Sequence, residues 1–124
     1  MIKLIVPIAP ATKKNSMQIS VKGGKPNVRQ SKPYLQYESD CLKLITGQYK
    51  LNIDYPINIK ATYFMPTHRR VDLINLHSAL HDILTKAHVL EDDNCRIVVS
   101  TDGSRVLYDK VHPRTEIEIT EVEP

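Results

Sequence analysis

No aspartate or glutamate precedes Glu38, whereas Lys3, Lys13, Lys14, Lys22, Lys25, Arg29 and Lys32 all do. The tail reverses the sign with Glu116, Glu118, Glu121 and Glu123, so a formal net charge of +3 conceals a basic first quarter. A one-sided cationic segment points to a polyanionic partner, set against the plainer reading of a solvated charged surface. Cysteine is scarce. Cys41 and Cys95 are too few for a disulfide scaffold and too far apart for a zinc pair, which leads to the expectation of a reducing, cytoplasmic setting. Neither a signal-type apolar segment nor an apolar run of membrane length is present, so no membrane partner is expected. Repeats, low-complexity tracts and linkers are missing too, and residues 1–124 are read as a single domain with a modest core.

What the chain does contain is a series of short periodic segments. MIKLIVPIAP opens as a strand from Ile2 to Val6, which two prolines stop because each removes a backbone donor. MQISV and PNVRQ flank KGGKP, where Gly23 and Gly24 suit a tight turn, giving a two-stranded ribbon with Lys22 and Lys25 at its tip. Ser31 offers an N-cap and Pro33 fits a first turn, and Tyr34, Tyr37, Cys41, Leu44 and Ile45 follow at helical spacing until Gly47. INIKATYFM alternates with period two and reads as a half-buried strand closed by Pro66. Leu73, Leu76, Leu80, Ile83, Leu84 and Ala87 form the stripe of a second helix, with Asp72 placed to cap it. CRIVVS and SRVLYD read as a hairpin turning through Asp102 and Gly103, and RTEIEITEV as a last strand on an edge. The expected fold is α+β, one mixed or mostly antiparallel sheet with two main helices.

The acids around the second helix carry the chemistry. A helix of about 14 residues rises roughly 21 Å, and residues 88–93, extended as a strand beside it, travel back roughly 20 Å. That return would bring Asp93 to Asp72, with Asp93 turned inward and Asp92 outward. The plainer roles are an N-cap, a polar turn and a hairpin tip. Arg69 and Arg70 beside Asp72 favour the chemical reading, because a metal site that hydrolyses phosphodiesters needs cations on the neighbouring phosphates. His77 and His81 are spaced i, i+4 as zinc ligands can be, yet no third ligand stands at a suitable spacing. Both fall off the leucine stripe and are read as a solvated or DNA-facing surface. In PIAPATKKNS, a stiffened loop presents Lys13, Lys14 and Asn15 to phosphate or sugar, whereas Tyr34 and Tyr37 are read as core.

The run RRVDLINLHSALHDILTKAHVLEDDN resembles the signature of the RusA-type Holliday-junction resolvases of phages and prophages. That family has a basic lead-in, an Asp-x-Asp-Asn helix start, an Asp-[Ala/Ile]-Leu stretch and a following Asp-Asp pair. The matching residues are Arg69, Arg70, Asp72, Asn75, Asp82-Ile83-Leu84 and Asp92-Asp93. PIAPATKKNS is similar to the family's opening proline loop, and DGSRVLYDK with HPRTEIEI to the C-terminal half of phage members. The resemblance implies an α+β homodimer that nicks four-way or otherwise branched DNA with Mg²⁺ or Mn²⁺ held by aspartates. Asp72 and Asp93 would hold the ion with Asp92 beside them, Asn75 would orient a ligand or the attacking water, and Lys13, Lys14, Asn15, Arg69 and Arg70 would hold DNA. Ile74 stands where the family has its second aspartate, and Ser78 where it has a lysine. The rival reading is a non-catalytic branched-DNA-binding protein with a decayed metal site.

Overall fold

A computed structural model describes residues 1–13, 17–22, 25–30 and 32–123, with 17–22 and 25–30 described as backbone strands only. The expected Ser31 cap, the Gly23–Gly24 turn, and the positions Lys14 and Asn15 lie outside the described residues, as do the side chains of Lys22 and Lys25. Strand β1 (Ile2–Val6), the ribbon strands β2 (Met17–Lys22) and β3 (Lys25–Gln30), and helix α1 (Lys32–Leu44) form the first half. Strand β4 (Ile57–Met65), helix α2 (Leu73–Lys86), strands β5 (Val98–Ser100) and β6 (Arg105–Tyr108), and strand β7 (Arg114–Glu121) form the second. The mixed sheet and two helices make an α+β fold.

Alternation builds the core on one face of the sheet. Leu4 pairs with Ile117 and Val6 with Thr115, while Ala61 and Tyr63 of β4 meet the same two β7 residues from the other side. All six are buried, and all but the polar Thr115 join Ile57, Ile59 and Ile119 in one apolar cluster with α1 and α2. The opposite face is open. There Lys3 and Lys60 flank Glu118 at 3.6 and 3.5 Å.

Two expectations about the sheet are overturned. Strand β7 is not at an edge but lies between β1 and β4. Its glutamates report the open face rather than an open side, because alternation distinguishes faces only. CRIVVS and SRVLYD are not a hairpin either. Both β5 and β6 run parallel to β4, beside its beginning and its end respectively. Thr101–Ser104 is an outward bulge between them. Asn58 secures it: its Oδ1 accepts from Ser100 Oγ (2.6 Å) and the Asp102 amide (2.8 Å), and Nδ2 donates to the Asp102 carbonyl (3.2 Å). Gly103 takes a φ of 87°, the left-handed turn that its lack of a Cβ permits.

Helix α1 carries Pro33 in its first turn and buries Tyr34, Tyr37 and Cys41. Leu44, expected on that stripe, is exposed, and the helix ends there, ahead of Gly47. Helix α2 buries Leu76, Ala79, Leu80, Ile83 and Leu84. It closes in a Schellman motif in which the Val89 amide donates to the Leu84 carbonyl and the His88 amide to the Thr85 carbonyl. His88 occupies the left-handed position, with φ 62°, where glycine is usual.

Candidate active site

Helix α2 runs back along the sheet from the C-terminal end of β4, and the acids expected to act together are placed at its two ends. At the first end, Asp72 is the N-cap residue in extended conformation, but it makes no side-chain capping bond. Its Oδ2 instead accepts from Asn75 Nδ2 at 3.1 Å, a link that fixes the carboxylate's direction. Arg69 and Arg70 precede it on an exposed loop, and among the described residues neither guanidinium makes an ion pair. Two open grooves meet at this pair of arginines. One, of about 310 Å³, reaches the proline loop at Pro10, Ala11 and Thr12. The other, of about 430 Å³, reaches Tyr108, on whose ring His68 stacks at 3.8 Å. Ile74 projects into solvent from the first turn, 79% exposed.

The second end is acidic. Residues 88–93 are not the expected strand beside α2. The Leu90 amide stays at the helix terminus on the Leu84 carbonyl, Leu90 bridges in parallel to Ile53, and the Glu91 amide donates to the Ile53 carbonyl. Three residues on, the Asn94 carbonyl accepts from Ile97, whose own carbonyl accepts from the Ile57 amide. Asp92 and Asp93 are thereby pinned between Ile53 and Ile57, at the start of β4, while Asp72 follows its end. The strand alone spans roughly 26 Å at about 3.3 Å per residue. Asp93 does not come back to Asp72, because the chain leaves the helix sideways to pair with Ile53 instead of retracing the axis. Both carboxylates are exposed. The Asp93 amide and Asn94 Nδ2 donate to Asp92 at 2.8 and 3.0 Å and hold its carboxyl below the usual range.

Lys13 is tied inward. Its Nζ donates to Asp82 Oδ2 at 2.7 Å, and Lys86 joins Asp82 at 3.4 Å to Glu38 at 3.1 Å. Burial alone would raise the Asp82 carboxyl, but Lys13 and Lys86 more than reverse this. The central acid of the Asp-Ile-Leu stretch thus anchors the proline loop to α2 and α1.

His77 and His81 are not the solvated surface expected of them. Tyr63 Oη lies 2.7 Å from His77 Nδ1, and the two imidazoles stack at 5.4 Å with 9° between planes. Burial pushes the Tyr63 phenol up and keeps it protonated, and the His77 tautomer sets which of the two groups donates. Nε2 of both histidines is buried and has no partner among the described residues. The Tyr63–His77 pair and the His68–Tyr108 stack escaped sequence reasoning, since both join residues of different elements. Among the described residues no group of three histidines, cysteines or acids is placed to hold a metal ion.

The family model for endodeoxyribonuclease RusA matches residues 7–120. The crossover junction endodeoxyribonuclease RusA of Aquifex aeolicus (strain VF5) is 32% identical over 89 residues, covering 71% of this chain and 69% of that protein.

Proposed function

The chain belongs to the RusA endodeoxyribonuclease family, and from that premise we propose that it cuts crossover junctions by hydrolysis assisted by Mg²⁺ or Mn²⁺, as a homodimer. The enzyme class follows from family membership. The finer reading rests on one observation above all: the Asp72–Asn75 pair opens α2 directly beside two exposed arginines without ion pairs among the described residues. Phosphate-binding cations and a directed hard-oxygen ligand thereby share one surface, at the meeting of two grooves.

The donor chemistry fits the ion, since carboxylate oxygens suit Mg²⁺ and Mn²⁺. The arrangement within one chain does not complete a coordination shell, because Asp72 and Asp93 are at opposite ends of α2. When bound, such an ion supplies charge stabilisation at phosphorus and an acidified water. The residues of the chain supply position. Asn75 holds the Asp72 carboxylate in one direction, and Arg69 and Arg70 take the phosphates flanking the scissile bond. The Lys13–Asp82 pair fixes the proline loop at Lys13, and Lys14 and Asn15 are assigned to the DNA on their residue type alone. A branched substrate with two-fold symmetry needs two cuts, which a two-fold dimer provides.

The test is a labelled synthetic four-way junction incubated with Mg²⁺ or Mn²⁺, beside EDTA and a matched linear duplex. Paired nicks confined to the junction and abolished by EDTA are expected. Binding without nicks would instead identify a DNA-binding protein on this scaffold, and nicks that persist in EDTA would remove the metal from the reading.

A further inference from the structure

Phosphate contacts are alike on a plain duplex and on a branched one, so Arg69 and Arg70 can hold DNA without choosing between the two. Resting on the DNA-nuclease reading above, we infer that the stacked rings of His68 and Tyr108 are a platform for a nucleobase left unstacked at the branch point, and that this platform confers the preference for branched DNA. Three observations carry the assignment. First, the rings are stacked and yet open: their centroids lie 3.8 Å apart with 27° between planes, while His68 is exposed and Tyr108 is 43% exposed. Neither makes a hydrogen bond to any described residue. A pair of rings committed neither to the core nor to a polar network leaves aromatic surface and polar edges for a base, whose own face and edges match them.

Second, the platform stands on a fixed support. Strand β6 stays in register with β4 as far as Tyr108 opposite Met65, and the Asp109 amide donates to the Met65 carbonyl at 2.9 Å. The loop carrying His68, Arg69 and Arg70 leaves from that same strand end. Third, the open groove of about 430 Å³ is lined by both rings and both arginines. Its volume is that of small-ligand sites, roughly 300–1,000 Å³. Cations beside an aromatic face are the combination that takes an unpaired nucleotide, the phosphate on the one and the base on the other. Drawing a base out of the stack costs most inside a regular duplex and least where pairing is already interrupted. A branch point supplies such a base. The arginines thus give affinity, and the rings give selectivity.

The experiment measures binding in EDTA, by fluorescence anisotropy, to a labelled four-way junction and to a matched linear duplex. Tyr108→Leu, which keeps apolar bulk without the ring, is expected to bind the junction roughly ten-fold more weakly, the scale of one base–aromatic stack. Its duplex affinity and its salt slope on the junction should stay at wild-type values, since no phosphate contact is removed. Tyr108→Phe restores a ring and is expected to recover the preference. His68→Ala, in a loop outside any strand or helix, is expected to fold by circular dichroism whatever becomes of Tyr108→Leu, and to shift junction binding in the same direction. 2-Aminopurine at the branch point, whose emission falls on stacking, should be brighter on Tyr108→Leu than on the wild type. Junction preference and emission unchanged in both ring-loss variants, or an equal loss on junction and duplex, overturns the inference and leaves the DNA-nuclease reading intact. A wild type that binds neither DNA removes that reading itself.

Discussion

Residue 81 makes one contribution to how stability responds to acid. His81 stacks on His77, and burial together with that neighbour pulls its pKa down to about 4. His77 is lowered as well, by burial. A folded pKa below the unfolded value of about 6.5 means that the unfolded chain binds more protons between those two values. The stabilising contribution is therefore complete above about pH 6.5 and is lost as pH falls toward 4. For His81 alone the loss is about 2 kcal/mol by pH 5. Urea unfolding at pH 7.5 and pH 5 is expected to show it, and His81→Gln should flatten the difference; an equally steep dependence in the variant would mean that other groups carry it. Helical spacing showed that residues 77 and 81 share a face but not that Tyr63 stands opposite, so their burial was illegible. Ile74 is the reverse case, an apolar residue left in solvent where the family has an acid. Ile74→Asp is expected to change stability by no more than about 0.5 kcal/mol, because nothing packs on it and an acid is welcome in a helix's first turn. The same variant should bind Mn²⁺ more tightly in calorimetry, and unchanged affinity would place residue 74 outside the metal shell.

At the scale of elements, the strands and helices were legible wherever one face is buried, as in β4 and α2, because burial imposes the period. How they join was less so. Asp102-Gly103 has the composition of a hairpin turn, and only the bonds from Asn58 show it serving as a bulge between two strands that run the same way. A parallel partner and an antiparallel one demand the same alternation, so direction cannot be read from β5 or β6 themselves. The end of α2 gives a prediction. His88 holds the left-handed position of the Schellman motif with its side chain exposed. His88→Gly removes the Cβ clash, worth about 1–2 kcal/mol, against an entropic cost of about 0.5–1 kcal/mol in the unfolded chain. A net gain of about 0.5–1 kcal/mol is expected in the denaturant midpoint with an unchanged slope. A loss would mean that the His88 ring contributes something other than backbone geometry.

For the whole molecule, the arrangement of charge matters more than its sum. No helix among the described residues is long and apolar enough to cross a membrane, and the basic groups divide into those already paired and those left open. Lys13, Lys60 and Lys86 are paired with acids, and Lys60 faces away from the candidate site on the open side of the sheet. Arg69 and Arg70 are exposed and make no ion pair among the described residues. The sequence could place arginines beside Asp72 but could not separate available cations from committed ones, since the partners Asp82 and Glu118 lie far along the chain. Nor could it reveal that Asp93 is carried to the other end of the sheet, because that depends on where Leu90 finds a strand partner. The availability of the two arginines is measurable as salt dependence. Each phosphate contact releases condensed counterions, so the slope of log K against log salt for junction binding in EDTA should fall by about 1 for Arg69→Ala and again for Arg70→Ala. Lys60→Ala should leave the slope unchanged, since its charge is already shared with Glu118. If the double arginine variant kept the full slope, the DNA would have to lie elsewhere on the surface, and the Asp72 end of α2 would lose its claim to the scissile phosphate.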